Sequence, residues 1–146
     1  MKTNKPYLTR NNDQYATPSN IYNYFINVCK MQDFNPLKED YEDSLIKEFN
    51  SDLYCNPPYS NIEPFVDYMI KHYKKGYNVI MLLPSRTGTK WFKKLIKENC
   101  HIYFFTQRLK FNDYKCAPFD TMIISLNKNH TKTKINFINR NLEIEK

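Results

Sequence analysis

Two adjacent prolines, Pro57 and Pro58, most constrain what this chain can fold into. Each proline fixes φ at about −65° and lacks an N–H group, so the pair cannot lie inside a central strand. The apolar run that begins at Leu53 must therefore leave its sheet here, on a stiff loop that holds Asn56 and Tyr59. A loop of this composition is also an ordinary turn after a buried strand, and the rest of the chain has to decide between a turn and a binding site.

The side chains of this loop suit a planar ligand that carries an exocyclic amine. The side-chain oxygen of Asn56 and a proline carbonyl can accept its two N–H groups, while the ring of Tyr59 stacks on its face. The double proline keeps the two side chains in place, so a ligand could be gripped between them.

The chain has 146 residues, which is the size of one domain with a genuine core. We divide it into a basic N-terminal arm (residues 1–16), a single domain (17–138) and a C-terminal tail (139–146). No apolar run approaches the ~20 residues that span a bilayer, and the N-terminus lacks the apolar stretch of a signal peptide. We therefore expect a cytoplasmic protein.

Composition excludes several classes of site. The 4 cysteines and 3 histidines are scattered without a C-x-x-C pair, which predicts reduced thiols and no metal site. Glycine occurs only at 76 and 88, so the chain has neither a G-x-G-x-x-G motif nor a Walker loop, and a dehydrogenase or ATPase is excluded. A formal net charge of +7 favours a polyanionic partner, although a solvated basic surface has the same composition.

Apolar periodicity and chain breakers predict alternating helices and strands. Thr17 is expected to cap the first helix, with Pro18 at its first position, and the segment Ser60-Asn61-Ile62-Glu63 matches a capping box for the second, which Gly76 ends. The predicted helices cover residues 18–30, 62–75 and about 91–99, with a possible short helix ending near 49. The predicted strands cover 33–36 (a strand tip), 52–55, 78–84, 101–105 and 121–126, with an edge strand at 135–138 and a loop or hairpin over 108–119.

Three loops follow predicted strands of this sheet. They are Asn35-Pro36, Asn56 to Tyr59 and Pro84 to Thr89. Ligands of open α/β sheets bind beyond the carboxyl ends of the parallel strands, so we expect these loops to converge on one site.

The segment Asn56-Pro57-Pro58-Tyr59 is similar to the catalytic tetrapeptide of amino-methylating DNA methyltransferases. The residues around it resemble the phage-type DNA N6-adenine methyltransferases of the Dam family, over most of residues 15–126 and in the family's order. The other matching segments are Thr17-Pro18, Asp33-Phe34-Asn35-Pro36, Leu83-Pro84-Ser85-Arg86-Thr87, Trp91-Phe92, Arg108-Leu109-Lys110-Phe111, Ala117-Pro118-Phe119 and Met122 to Leu126.

This resemblance implies an α/β fold of the reduced, Rossmann-like class I S-adenosylmethionine-dependent methyltransferases, with a mostly parallel sheet and an antiparallel C-terminal strand. It implies transfer of a methyl group from S-adenosylmethionine to the N6 amine of adenine in DNA, with DNA as the partner. Since N6 is paired in duplex DNA, the base must be flipped out or met single-stranded. The expected setting is the cytoplasm of a bacterium or a phage-infected host cell, with protection against restriction as one possible role.

The resemblance also assigns residues to the site. The catalytic residues are Asn56, Pro57, Pro58 and Tyr59, and the cofactor-binding residues are Thr17, Pro18, Asp33, Asn35, Pro36 and Asn56. The candidates for DNA contact are Arg86, Lys90, Arg108, Lys110 and Lys115, whose alternative role is a solvated basic surface. Trp91 and Phe92 are expected to belong to the core rather than to stack on bases.

Two other functions stay open at this point. The family usually has an Asp where this chain has Asn35, and loss of that carboxylate would weaken contact with the cofactor's ammonium or ribose, so a catalytically degenerate nucleic-acid-binding member is one alternative. The other alternative is methylation of cytosine N4 or another amine, because the tetrapeptide selects an sp² amine more directly than a particular base.

Overall fold

The computed structural model describes residues 15–34, 41–111 and 115–146. Along the chain, its strands are β1 (Gln32–Asp33), β2 (Leu53–Cys55), β3 (Val79–Pro84), β4 (His101–Phe105), β5 (Lys110–Phe111), β6 (Lys115–Cys116), β7 (Thr121–Leu126) and β8 (Lys134–Ile138). Its helices are α1 (Ser19–Tyr22), which continues as a π-helix over Asn23–Val28, then α2 (Tyr41–Ile46), α3 (Glu63–Lys74) and α4 (Lys90–Ile96).

The strands form a six-stranded sheet in the order β1-β2-β3-β7-β4-β8 and a separate β5-β6 hairpin. The pairs β1–β2, β2–β3 and β4–β8 are parallel, whereas β7 is antiparallel to both β3 and β4. The predicted fold class, a mostly parallel sheet with an antiparallel strand near the C-terminus, is therefore confirmed. The antiparallel strand lies inside the sheet, and the predicted edge strand, β8, lies beside β4.

The strands β2 and β3, which precede the loops of the expected site, are buried along almost their whole length. Every residue of β2 is buried, and so are all residues of β3 except Ile80. A strand covered on both faces reads as a continuous apolar run rather than as an alternation, which is why both segments could be recognised in the sequence. Their parallel pairing brings the chain after Cys55 and the chain after Pro84 to the same edge of the sheet.

Both predicted helix caps are wrong. Pro18, not Thr17, is the N-cap of α1, and no side chain caps that helix, because the Thr17 hydroxyl is bonded elsewhere. The helix α3 begins at Glu63 with Ile62 as its N-cap and no side-chain cap at that position, so Ser60 is not the N-cap that the capping box requires. The reason is local: the Asn61 N–H donates to the Pro58 carbonyl at 3.2 Å, so the chain is still turning where the box would need helical geometry.

Other local predictions agree with the structure in the kind of element and differ in where two helices end. Gly76 has φ of +110° and ends α3 as expected, because its missing Cβ permits the left-handed region. The first helical segment ends at Val28, and Lys30, at the predicted end, has φ of 61°. The segment from Arg108 forms a hairpin, Trp91 is buried in the core, and α2 ends three residues short of the predicted limit at Phe49.

The described residues include no helix with the length and apolar character that crossing a membrane requires. The four cysteines are free thiols, of which Cys55 and Cys100 are buried.

Two histidines stack where β4 meets the turn before β8. The rings of His101 and His130 have centroids 3.3 Å apart and planes 11° apart, and Nε2 of His130 shares a hydrogen bond with the Ser125 hydroxyl at 3.2 Å. Burial lowers the pKa of both imidazoles, and the positive charge of Lys134 lowers both further. The folded protein therefore binds protons at these rings less readily than the unfolded chain does.

This pair predicts a loss of stability in mild acid. A histidine whose pKa is lower in the folded protein than in the unfolded chain stabilises the fold at a pH above its unfolded pKa, about 6.5. This stabilisation is lost as the pH falls below that value. We expect the Tm to fall between about pH 7.5 and about pH 5.5, and His130→Asn to reduce that fall because the stacked ring can no longer be charged. Thermal unfolding across this pH range checks the prediction, and an equal fall in both proteins would contradict it.

Candidate active site

The loop Asn56 to Tyr59 leaves the sheet at the carboxyl end of β2, as the two prolines require. It is not an exposed turn: Asn56 is 3% exposed and Tyr59 is 2% exposed. Pro57 and Pro58 are buried as well. A polar amide and a phenol are thus held inside the protein at the edge where ligands of parallel sheets bind.

The orientation of the Asn56 amide is set by the segment before α1. Its Nδ2 donates one hydrogen bond to the backbone carbonyl of Tyr15 and another, 3.1 Å long, to Oγ1 of Thr17. An amide nitrogen has two N–H donors, so both are used in these bonds. The acceptor oxygen consequently lies on the other side of the amide carbon, turned away from Tyr15 and Thr17.

The Thr17 hydroxyl is held in turn by Tyr54. The two oxygens share a hydrogen bond of 2.8 Å, and the Tyr54 ring stacks on Phe25 of the π-helix with centroids 5.6 Å apart. Burial raises the pKa of the Tyr54 phenol well above its ordinary value, so this group stays neutral. Asn56, Thr17 and Tyr54 therefore form one partly buried network that joins β2 to the start of α1.

The side chain of Tyr59 is anchored to the neighbouring strand. Its hydroxyl donates to the Leu82 carbonyl of β3 at 3.1 Å. Its ring packs against three other aromatic rings, with centroid distances of 5.7 Å to Tyr15, 5.5 Å to Phe119 and 6.2 Å to Phe111. The hairpin region after β4 thus covers this part of the site.

Two of the three predicted loops converge. Nη1 of Arg86, in the loop after β3, donates to the backbone carbonyl of Tyr59 at 2.9 Å. Arg86 was a candidate for DNA contact, and one of its guanidinium nitrogens is used to join the two loops. The third loop, Asn35-Pro36, lies outside the described residues.

An acidic side chain lies at the same edge of the sheet. Asp33 ends β1 and pairs in register with Tyr54 of β2. The pKa of the Tyr22 phenol is raised to about 12 by its burial, by the negative charge of Asp33 and by a hydrogen bond to that carboxylate. The phenol of Tyr22 therefore stays protonated and bonds to the Asp33 carboxylate, which lies on β1 beside Tyr54.

The basic candidates differ in what they contact. Lys90 and Lys110 are exposed, whereas Arg108 lies 3.7 Å from Asp120. The backbone of Lys115 forms part of β6, but its side chain lies outside the described part of the chain. On α4, Lys94 is bonded at 2.8 Å to both Glu63 and Asp67, so its charge is already compensated.

Sequence reasoning missed residues that hold the site together. Tyr15 was assigned to the N-terminal arm, yet its carbonyl and ring both contact the tetrapeptide. Arg140, in the segment taken as a tail, donates to the Arg108 carbonyl at 2.9 Å and to Sγ of Cys116 at 3.4 Å, which braces the β5-β6 hairpin. The role of Tyr15 could have been inferred from its position two residues before the Thr17-Pro18 motif. No neighbouring sequence pattern indicates the role of Arg140.

A cavity of about 660 Å³ lies away from this loop. Its lining includes Asp52 and Asn78, at the amino ends of β2 and β3, together with Phe25, Val28 and Tyr103, and no residue of the tetrapeptide. The chemistry of the loop, rather than the size of a cavity, therefore identifies the candidate site.

The comparisons with known proteins concern the chain as a whole. The family model described as DNA N-6-adenine-methyltransferase (Dam) matches residues 4–146, a range that contains every residue of the site described above. The comparison with curated proteins finds no match.

The buried bond of Tyr59 gives a prediction for stability. Tyr59→Phe removes the donor to the Leu82 carbonyl in a closed environment, and we expect it to lower the free energy of unfolding by about 1 to 2 kcal/mol. Tyr68→Phe is a matched control, because that phenol donates to the Lys47 carbonyl at an exposed position and water can replace it. Urea unfolding of the three proteins measures the difference, and equal losses in the two variants would contradict the role given to burial.

Proposed function

The chain belongs to the Dam family of DNA N-6-adenine-methyltransferases, and we propose that it transfers a methyl group from S-adenosylmethionine to the N6 amine of adenine in DNA. The observation that carries the proposal is the orientation of Asn56. Because its two N–H groups are used by Tyr15 and Thr17, it offers its oxygen as the acceptor, which is what an exocyclic amine requires.

The proposed chemistry depends on how the amine is held. The lone pair of an aromatic amine is delocalised into the ring, which makes the nitrogen a poor nucleophile. The Asn56 oxygen and the Pro57 carbonyl accept its two N–H groups and localise the lone pair toward the methyl donor, while Tyr59 stacks on the base. In this transfer the new N–C bond would form as the bond between the sulfonium sulfur and its methyl group breaks, with S-adenosylhomocysteine as the leaving group. The methylated amine would then lose one proton to solvent, and since it is strongly acidic, no strong base is required.

Thr17 and Tyr54 act as positioning residues in this proposal. The Thr17 hydroxyl accepts from Asn56 and is bonded to the neutral Tyr54 phenol, so neither group needs to change its protonation state during the reaction. Their contribution is to prevent the Asn56 amide from rotating, because a rotated amide would turn N–H groups toward the substrate amine.

The residues at the carboxyl edge of β1 and β2 fit the proposed cofactor. S-adenosylmethionine supplies the electrophilic methyl group, and it carries an ammonium and ribose hydroxyls that a carboxylate can bind. Asp33 provides that carboxylate beside the Asn56 network. We propose that Asp33, Thr17, Pro18 and Asn56 border the cofactor; Asn35 and Pro36, proposed for the same role, lie outside the described residues.

The proposed DNA-binding surface follows from charge that is not already compensated. Lys90 and Lys110 are exposed near the loop after β3 and the hairpin that covers Tyr59, and they can bind phosphates. Arg86 and Arg108 have partial roles in the fold, through Tyr59 and Asp120, and keep further N–H donors for phosphate. The target base must leave its stack for its N6 amine to reach Asn56.

The central prediction is that Asn56→Ala abolishes methyl transfer. With labelled S-adenosylmethionine and unmethylated DNA, we expect a loss of at least ~100-fold, because the acceptor that localises the lone pair is removed. Asn61→Ala is the matched control, since that residue is exposed next to the tetrapeptide and contributes its backbone to the turn. Methylation that survives Asn56→Ala would contradict the role of this residue.

Analysis of the modified nucleoside separates the alternatives. N6-methyladenine in the product supports the proposal, whereas N4-methylcytosine would mean that the same contacts hold the amine of cytosine. Absence of transfer, together with no rise in Tm when S-adenosylmethionine is added, would identify a non-catalytic nucleic-acid-binding member of the family.

A second prediction concerns DNA affinity. Lys90→Ala and Lys110→Ala should each weaken binding and reduce the slope of log K against log salt by about 1, as expected for one phosphate contact. Lys94→Ala should change the slope less, because Glu63 and Asp67 already hold that charge. Fluorescence anisotropy over a salt series measures the slopes, and an equal effect of Lys94→Ala would contradict the assignment.

A further inference from the structure

The ring that is proposed to stack on the target base is itself covered. Tyr59 is 2% exposed, so no base can lie on its face without first displacing another group. This inference rests on the proposed stacking of a DNA base on Tyr59, and it concerns what occupies that surface before DNA binds.

Three rings surround Tyr59, and they differ in orientation. The planes of Phe111 and Phe119 make angles of 85° and 69° with the Tyr59 ring, so both meet it edge to face. The plane of Tyr15 makes an angle of only 30° with it, at a centroid distance of 5.7 Å. Of the three rings, Tyr15 is therefore the one whose plane is closest to that of a base stacked on Tyr59.

A base does not fit between the two tyrosine rings as they stand. Aromatic layers in contact are separated by about 3.5 Å, so a base with a ring on each face needs about 7 Å between those rings. The observed centroid distance is 5.7 Å. A base that stacks on the side of Tyr59 next to Tyr15 therefore requires the Tyr15 ring to move away.

The backbone and the side chain of Tyr15 have separate effects. Its carbonyl accepts from Asn56 and holds the amide in the orientation that the proposed reaction needs. Its ring contacts Tyr59, Phe111 and Phe119 instead. A side-chain rotation can expose Tyr59 without breaking the bond that orients Asn56.

We infer that the phenol ring of Tyr15 occupies the position in which the target base stacks on Tyr59, and that the base displaces this ring when it enters the site. Tyr15 is then a specificity-determining residue, because only a ligand that stacks better than a phenol ring can replace it.

The test measures base stacking in the absence of cofactor. The probe is a single-stranded oligonucleotide with one 2-aminopurine among thymines, whose fluorescence is quenched when the base stacks on an aromatic ring. Tyr15→Ala keeps the backbone carbonyl and removes the ring, and we expect it to bind the probe about tenfold more tightly because the base no longer has to displace a competing ring. Tyr15→Phe keeps the ring and is expected to bind as the unaltered protein does.

Two further variants make the result specific. In a Tyr59→Ala background, Tyr15→Ala should give no gain in affinity, because the covered surface is absent. Tyr15→Leu removes the aromatic ring but keeps apolar volume, and it should show part of the same gain in affinity. It replaces Tyr15→Ala in the test if circular dichroism shows that Tyr15→Ala is poorly folded.

Several results would overturn the inference. If folded Tyr15→Ala or Tyr15→Leu binds the probe with unchanged or lower affinity, Tyr15 does not compete with the base and only packs beside it. A gain in affinity that persists in the Tyr59→Ala background would contradict the inference as well. The assay uses no methyl donor, so its outcome is independent of catalysis. Tighter binding by Tyr15→Ala in a protein that methylates nothing would support this inference while the proposed function fails.

Discussion

The hydrogen bonds of the Asn56 amide hold together the part of the molecule on which everything else at the site depends. They join a residue at the end of β2 to Tyr15 and Thr17, about 40 positions earlier in the chain, and Thr17 is bonded in turn to Tyr54. Buried polar groups are costly when they lack partners, so these bonds favour one arrangement of the segment before α1 against the sheet. The arrangement that satisfies them also turns the amide oxygen to the side where a substrate amine is proposed to bind.

The sheet supplies the second constraint. Parallel pairing of β2 with β3 brings two loops to the same edge, and Tyr59 is bonded to both the strand and the loop: its hydroxyl to Leu82 and its carbonyl to Arg86. The tetrapeptide is therefore held by hydrogen bonds from Asn56 at its beginning and from Tyr59 at its end. The two prolines between them remove the backbone N–H groups that could otherwise have drawn the loop into a ladder. Stiffness of this kind keeps the two proposed contacts to a base in a fixed relation to each other.

Much of the fold could be predicted because the signals were local. The end of β2 at two prolines, the end of α3 at Gly76 and the apolar runs of β3 and β7 depend on residues next to each other in sequence. The helix caps were wrong for the same reason. Thr17 has the chemistry of a cap, but its hydroxyl finds Asn56 and Tyr54 instead, and Ser60 lies in a turn that Pro58 and Asn61 close. A residue with the chemistry of a helix cap does not cap the helix when its side chain bonds to a distant residue, or when the chain forms a turn at that position.

The sequence by itself determined the class of fold, the position of the proline loop at a strand end and the order of motifs that indicates the family. Only the tertiary structure decided which way the Asn56 amide turns, that the rings of Tyr15 and Tyr59 pack together, and that Lys94 is paired with Glu63 and Asp67 whereas Lys90 is exposed. The physical reason is the range of the interactions. Periodicity and chain breakers act over a few neighbouring residues, whereas orientation, covering and charge compensation depend on contacts between residues that the fold brings together from distant parts of the chain.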